Sequence, residues 1–267
     1  MCTVGADLTI LREMSVKVAL LGFTSKGEYK MQYMLSRSLN YSRGIVLSLG
    51  LVLVTGCADP TWGSYKSVKG KGMADTNEAH VHIGHVMTGW TDTPEKWGLL
   101  PTAIAEAKVA AQHAGFAASK SADLAWMKTH IGHVLHAVDP SVEPKGPGHG
   151  YGVIKAAGGA AKHVGFSAKS EGASKNVKTH AVHVDTSAKN VVTWGKLIVR
   201  LGKKVKAAKT AGQAAPMVKK IEQLAARLIA GDDVNGDGKI TWRASEGGLK
   251  EAEKHMGFMT KGEYLTF

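Results

Sequence analysis

Cysteine is nearly absent from this chain. Only Cys2 and Cys57 occur among 267 residues, which excludes a disulfide framework and also the Cys-x-x-Cys-His motif that attaches haem covalently. Aromatic residues make up only 6% of the sequence, whereas hydrophobic residues make up 44%. With 32 glycines, this composition favours closely packed helices over a sheet core, and we predict an all-α helical bundle.

The motifs of several common enzyme classes are also missing. The sequence has no His-Glu-x-x-His and no Glu-x-x-His, which argues against zincin metalloproteases and against ferritin-like di-iron carboxylate sites. It has no Gly-x-Ser-x-Gly, P-loop or Rossmann glycine pattern. We therefore expect a protein that is not an enzyme, although a three-histidine metal centre with an open position could activate water.

Positive charge is abundant, at a formal net charge of +12. Nucleic acid and anionic membrane surfaces must be considered for such a chain. However, the lysines are spread over helix faces, and no aromatic-basic platform or recognition-helix pattern accompanies them. The charge is typical of a solvated surface, and we expect no nucleic-acid partner.

Histidine pairs spaced as His-x-x-His occur three times. They are His82-Ile83-Gly84-His85, His130-Ile131-Gly132-His133 and His180-Ala181-Val182-His183. In a helix, residues three positions apart lie on one face and can share a ligand. The second and third pairs are 50 positions apart, and so are the lone histidines His113 and His163.

This register predicts helical-hairpin repeats of about 50 residues. Gln213 stands where a third lone histidine is expected, so the third repeat, with His180 and His183, is expected to be incomplete. Within an antiparallel hairpin, the start of one helix lies beside the end of the next. We therefore expect one cluster of His82, His85 and His113 and another of His130, His133 and His163, with ligands from a neighbouring hairpin left open.

Three imidazoles in a cluster suit copper, zinc or nickel. The alternative is that the histidines are interhelical hydrogen-bond partners copied with the repeat.

A short apolar run precedes Cys57. Arg37 and Arg43 are followed by the apolar run 44–54, which is too short to span a bilayer, and then by Val54-Thr55-Gly56-Cys57. This order resembles a bacterial lipoprotein signal with its lipobox. The resemblance implies lipidation of Cys57 and an anchor in the cell envelope, on the periplasm-facing side of the outer membrane. The alternative is a short buried helix that ends in cysteine.

A second short motif lies near the C-terminus. The segment 233–241, Asp-Val-Asn-Gly-Asp-Gly-Lys-Ile-Thr, resembles the first nine positions of an EF-hand calcium loop. The resemblance implies calcium ligands at Asp233, Asn235, Asp237, Lys239 (backbone carbonyl), Thr241 and Glu246. The motif departs from the family at its twelfth position, which is Ala244 instead of glutamate. Glu246 can supply the missing carboxylate ligand only if the loop is two residues longer than usual. The alternative is a polar turn between helices.

The resulting organisation has four parts. They are an upstream segment and signal peptide (1–56), a flexible tether (57–75), a His-rich helical bundle (76–212) and an EF-hand-like helix-loop-helix (213–267). In the last part, His255, Met256 and Met259 could form a soft-metal patch or simply belong to the core. Residues 76–210 also resemble, in their histidine-rich helices, the periplasmic copper-binding small metal-binding protein family.

We therefore predict a lipid-anchored protein that sequesters or buffers a transition metal, with calcium stabilising its C-terminal part. Two other functions remain open. One is electron transfer by non-covalent haem held between helical histidines. The other is a calcium-stabilised structural or interaction lipoprotein.

Overall fold

The computed structural model describes residues 77–267. The predicted signal peptide, the lipidation residue Cys57 and the tether 57–75 therefore lie outside the described residues.

The described chain is all-helical, which confirms the predicted fold class. Its helices are α1 (Glu78–Met87), α2 (Leu99–Ser119), α3 (Leu124–Val138), α4 (Val153–Lys169), α5 (Lys175–Ala207), α6 (Ala211–Ala230) and α7 (Leu249–Gly262), with a 3-10 turn at Pro94–Lys96. Over this same region, none of the helices combines the length and the apolar character needed to cross a bilayer.

Side-chain caps fix where most of these helices begin. Asn77, Asp123 and Ser174 each accept a hydrogen bond from a backbone N–H in the first turn of the helix that follows. Thr210 does the same for Gln213, so α6 begins at Ala211. Proline is common in the first turn of a helix, so Pro216 in the sequence predicts a helix that begins at Met217; this prediction is wrong. Pro216 lies inside the helix, where it costs one backbone hydrogen bond.

Helix α5 is the centre of the bundle. It packs against α3, α4, α6 and α7, and its buried face includes Val184, Val191 and Ile198. Glycine allows close approach to its neighbours: a Cβ at Gly195 would lie 2.8 Å from Cγ1 of Ile154, and one at Gly202 would lie 2.6 Å from Cδ2 of Leu135. The many small residues thus serve close helix packing, as the composition predicted.

The helices pair in a nested order. Helix α2 packs on α3, whereas α1 packs mainly on α4. The α1–α4 pair therefore encloses the α2–α3 hairpin in sequence. Helix α7 packs on α5. This order differs from a series of consecutive hairpins, and it decides which histidines meet.

The C-terminal helices belong to the same bundle. The boundary expected between residues 212 and 213 falls inside α6, which packs on α2 and α5. All described residues belong to one compact unit. The helix-loop-helix region is therefore part of the core rather than an appendage to it.

A buried carboxylate orders the loop between α3 and α4. Glu106 on α2 is fully buried and accepts hydrogen bonds from the backbone N–H groups of His149, Tyr151 and Gly152. These charge-assisted bonds compensate for burial of the carboxylate and tie the loop to the bundle.

Candidate metal centres

Site 1 joins α1 to α4. It consists of His82, His85 and His163. The Nδ1 atom of His163 lies 3.1 Å from Nδ1 of His82 and 3.3 Å from Nδ1 of His85. A cavity of about 350 Å³ lies beside this site and is lined in part by His82 and Phe166.

Site 2 joins α2 to α3. It consists of His113, His130 and His133. The Nδ1 atom of His113 lies 3.0 Å from Nδ1 of His130 and 3.2 Å from Nδ1 of His133.

Site 3 joins α5 to α7. It consists of His180, His183 and His255. The Nδ1 atom of His255 lies 3.0 Å from Nδ1 of His180 and 3.2 Å from Nδ1 of His183. All three sites therefore use the same atoms at almost the same separations.

These separations suit a shared cation better than hydrogen bonds. One Nδ1–H can reach both neighbouring Nδ1 atoms only as a three-centre bond, which is weaker than two separate hydrogen bonds. A metal bound tetrahedrally at 2.0–2.1 Å places its nitrogen ligands about 3.3–3.4 Å apart. In each site the three ligand atoms all lie within 4.8 Å of one another, and each site could hold a metal ion.

The lone histidine of each site is held in its neutral form. The pKa values of His113, His163 and His255 are lowered to about 4, first because burial penalises the charged imidazolium and then because neighbouring histidines of the same site repel it. At neutral pH these imidazoles are therefore uncharged, which is the form that binds metal.

Each site also has its own tryptophan and phenylalanine. Trp90 lies 4.6 Å from the ring of His163, Trp126 lies 4.3 Å from that of His130, and Trp242 stacks on His183 at 4.3 Å. Phe166, Phe116 and Phe258 contact the histidines of sites 1, 2 and 3 in turn and are partly exposed. These aromatic rings restrict the rotamers of the ligand side chains.

The structure corrects the expected pairing of the clusters. His163 joins His82 and His85, and His113 joins His130 and His133, so the assignment of lone histidines to consecutive hairpins is wrong. The physical reason is the nested order of the helices, which places α4 beside α1 and α3 beside α2. The eight predicted histidines nevertheless all lie in three-histidine groups.

The structure also completes the third repeat, which the sequence suggested was incomplete. Its lone histidine is His255, 42 positions beyond Gln213. A sequence signal for it exists: His113, His163 and His255 each begin a His-x-Gly-Phe motif. Met256 and Met259, by contrast, are fully buried in the core and lie outside the three-histidine group.

The remaining histidines have other partners. His80 donates a hydrogen bond from Nε2 to Glu263, His136 pairs with the backbone carbonyl of Glu143, and His149 packs on Trp97. Nine of the 12 histidines therefore belong to the three sites.

The EF-hand-like loop lies between α6 and α7, as predicted. Asp233 accepts hydrogen bonds from the backbone N–H groups of Gly236, Asp237 and Gly238. The Glu246 side chain is buried and accepts hydrogen bonds from both the N–H and the hydroxyl of Thr241. Gly236 and Gly238 have positive φ angles, which glycine adopts without strain. Calcium binding by Asp233, Asn235, Asp237, Lys239, Thr241 and Glu246 stays a prediction.

The chain matches no protein-family model, and no similar curated protein or solved structure was found. Its fold and sites define it as an all-α bundle with three three-histidine groups that could each hold a metal ion.

Proposed function

We propose that this protein sequesters or buffers a transition metal at the cell envelope and binds one ion in each of its three histidine sites. The observation that carries the proposal is the repeated convergence of three Nδ1 atoms, at 3.0–3.3 Å, in three separate helix pairs. A shared metal ion uses all three lone pairs at once, whereas hydrogen bonding would provide only one shared proton for two contacts.

The donor set indicates the class of metal. Each of the three groups contains imidazoles only. Imidazole suits copper, zinc and nickel, whereas calcium and magnesium require oxygen ligands. Three protein ligands leave a fourth position for water or an exchangeable ligand. The open position would let the metal pass to another ligand, which suits a buffering protein, and it would equally allow a bound water to be activated.

The same geometry disfavours haem as the cargo. Two axial ligands on opposite sides of a haem iron are separated by about 4 Å, with the porphyrin plane between them. In each site the lone histidine lies 3.0–3.3 Å from both of its partners. This convergence favours one small ion over a macrocycle.

The first experiment is metal analysis of the full chain purified without a histidine tag. We expect up to three copper, zinc or nickel ions per chain and no Soret band. Each His→Ala double substitution in a His-x-x-His pair, beginning with His130→Ala/His133→Ala, should remove one ion. The matched control is His149→Ala, which changes an exposed histidine outside the sites and should remove none. Calcium alone, with unchanged metal content in the double variants, would contradict the proposal.

Lipid attachment at Cys57 is part of the same proposal. It rests on the lipobox-like order of residues 44–57 and would hold the metal-binding bundle at the membrane surface. Intact-mass analysis of the chain from bacterial membranes should show a lipidated Cys57 as the first residue. In the Cys57→Ser variant the protein should leave the membrane fraction, whereas the Cys2→Ser control should not change its location.

Calcium binding by the C-terminal loop is a further part of the proposal. The sequence pattern supports it, as does the position of the loop between two helices. Calorimetric titration of the chain with Ca²⁺ should show binding that the Asp233→Asn/Asp237→Asn variant loses. Equal heats of Ca²⁺ binding in wild type and variant would show that calcium does not bind to this loop. The histidine sites are tested independently of this loop.

A further inference from the structure

The three sites differ at one position. Four residues before the lone histidine, site 1 has Gly159, site 2 has Val109 and site 3 has Glu251. On a helix this position lies directly beside the histidine. Only site 3 therefore has a carboxylate there.

Glu251 is held against the back of a candidate ligand. Its carboxylate is almost fully buried, and its Oε1 atom accepts a hydrogen bond of 3.1 Å from Nε2 of His255. Because Nε2 carries the proton, Nδ1 of His255 carries the lone pair, and Nδ1 is the atom that faces His180 and His183. Glu251 thus selects the tautomer that binds metal and increases the basicity of the ligand.

The carboxylate also changes the charge of the site. Three neutral imidazoles leave the whole charge of a divalent ion uncompensated in a protein of net charge +12. At site 2, the positive charge of Lys120 is felt by His130 and that of Lys206 by His133, and both charges disfavour a further cation. The nearby carboxylate of Glu143 already forms an ion pair with Lys206. At site 1, the carboxylate of Glu78 is 3.9 Å from His82 and 71% exposed, so solvent screens it.

At site 3, Glu251 also forms an ion pair with Lys254 at 3.1 Å. However, the Lys254 side chain is 52% exposed, whereas that of Glu251 is 8% exposed. The lysine charge is therefore screened by water more than the carboxylate charge is, and site 3 keeps the more favourable environment for a cation.

A second contact orders site 3. Trp242, from the loop before α7, stacks on His183 with an angle of 19° between the rings. The tryptophans of sites 1 and 2 meet their histidines at 59–68° instead. Site 3 therefore has one ligand fixed by a hydrogen bond and another fixed by stacking.

We propose that site 3 is the tightest of the three sites and the first to fill with a divalent transition-metal ion, with Glu251 as its positioning residue. This inference rests on the proposed function. It predicts stepwise loading in place of three equivalent binding events.

The test isolates each site in the full chain. His82→Ala/His85→Ala combined with His130→Ala/His133→Ala leaves site 3, and the corresponding combinations leave sites 1 and 2. Calorimetric titration with Zn²⁺ against a competing chelator should give a Kd for site 3 about 10–100-fold lower than for the other two, the usual effect of a carboxylate behind a ligating histidine. Glu251→Gln in the site-3 chain should remove this advantage, whereas the control Glu253→Gln, on the same helix, should keep it.

A gain of affinity separates this role from a merely structural one. Val109→Glu places a carboxylate four residues before His113 in the chain that retains site 2. We expect its Kd for Zn²⁺ to fall toward that of site 3. In the wild-type chain, the first equivalent of Cu²⁺ should quench the fluorescence of Trp242. The Trp242→Phe variant lacks this fluorescence, so the first equivalent should quench the variant less than wild type.

The outcomes are distinguishable. Equal affinities in the three one-site chains, or a first Cu²⁺ equivalent that quenches the Trp242→Phe variant as much as wild type, would overturn the inference and leave the proposed function intact. No binding in any of the chains, including wild type, would overturn the proposed function itself.

Discussion

The Nδ1 atoms of His82 and His163 lie 3.1 Å apart although the residues are 81 positions apart in sequence. The equivalent contact in site 2, between His113 and His130, spans only 17 positions. Site 1 therefore requires the packing of α1 on α4, whereas site 2 requires only the α2–α3 hairpin. Two sites of the same chemistry thus depend on very different parts of the fold.

The nested pairing can be tested by metal content. His163→Ala should remove the same ion as His82→Ala/His85→Ala, so the triple variant should lose one ion and not two. His163→Ala combined with His130→Ala/His133→Ala should lose two. Elemental analysis of the purified variants measures this directly. The reverse result would restore the pairing of His163 with the α3 histidines.

The metal-free protein should become less stable as the pH falls. His113, His163 and His255 have pKa values of about 4 in the fold and about 6.5 when unfolded. Between these values the unfolded chain binds more protons, so the free energy of unfolding should fall from about pH 6.5 to about pH 4, and the contribution of these groups should then level off. Urea denaturation in the presence of a chelator measures this.

The control for the pH effect is a variant with His113, His163 and His255 all replaced by glutamine, which does not titrate. Its urea midpoint should depend less on pH over this window than that of wild type. Identical pH profiles would show that the three histidines do not carry the effect.

Two helical glycines should respond oppositely to alanine. In Gly202→Ala the new Cβ meets the Leu135 side chain at 2.6 Å, and we expect a loss of about 1–3 kcal/mol in the free energy of unfolding. In Gly165→Ala the new Cβ meets nothing within 4 Å, and we expect a gain of up to about 1 kcal/mol from helix propensity. Chemical denaturation of both variants gives the sign. Equal effects would contradict the close packing of α5 on α3.

The Glu106 carboxylate should matter for stability and not for metal content. Glu106→Ala leaves three backbone N–H groups of the α3–α4 loop without their acceptor, and we expect a loss of about 3 kcal/mol or more. Thermal unfolding measures it. The control is Glu222→Ala, which breaks an exposed ion pair with Lys219 and should cost under about 1 kcal/mol. A loss of metal from folded Glu106→Ala would contradict this assignment.

Much of the fold could be predicted from local sequence. The sequence predicts a helix that Ser121 or Asp123 caps and that ends at Val138, then a proline-rich loop over 139–150 and a helix over 152–169. The structure has α3 at Leu124–Val138 and α4 at Val153–Lys169. The start of α6 was predicted wrongly at Met217, because proline is common in the first turn of a helix. In the structure Thr210 caps the helix earlier, and Pro216 lies inside it.

The composition of the sites was predictable, but their pairing was not. The His-x-x-His spacing shows which histidines share a helix face, since that is a local property. Which helix lies opposite is a matter of packing between helices that are far apart in sequence, such as α1 on α4. The spacing of residues along one helix does not determine that packing. The sequence placed His255 only in a possible soft-metal patch with Met256 and Met259. The 50-residue period puts the third lone histidine at Gln213, whereas α6 is inserted before the final His-x-Gly-Phe motif.

Each histidine site joins two different helices, and in sites 1 and 3 the joined residues are 72–81 positions apart. On the proposed function, a bound ion is a reversible cross-link, in a chain whose two cysteines offer no permanent one inside the bundle. Ligands that bind only the folded state stabilise it by RT ln(1 + [L]/Kd), so the stability rises with the concentration of free metal. The lifetime of the protein against proteolysis would then depend on its metal load: empty chains would be degraded, and filled chains would persist as long as they hold their cargo.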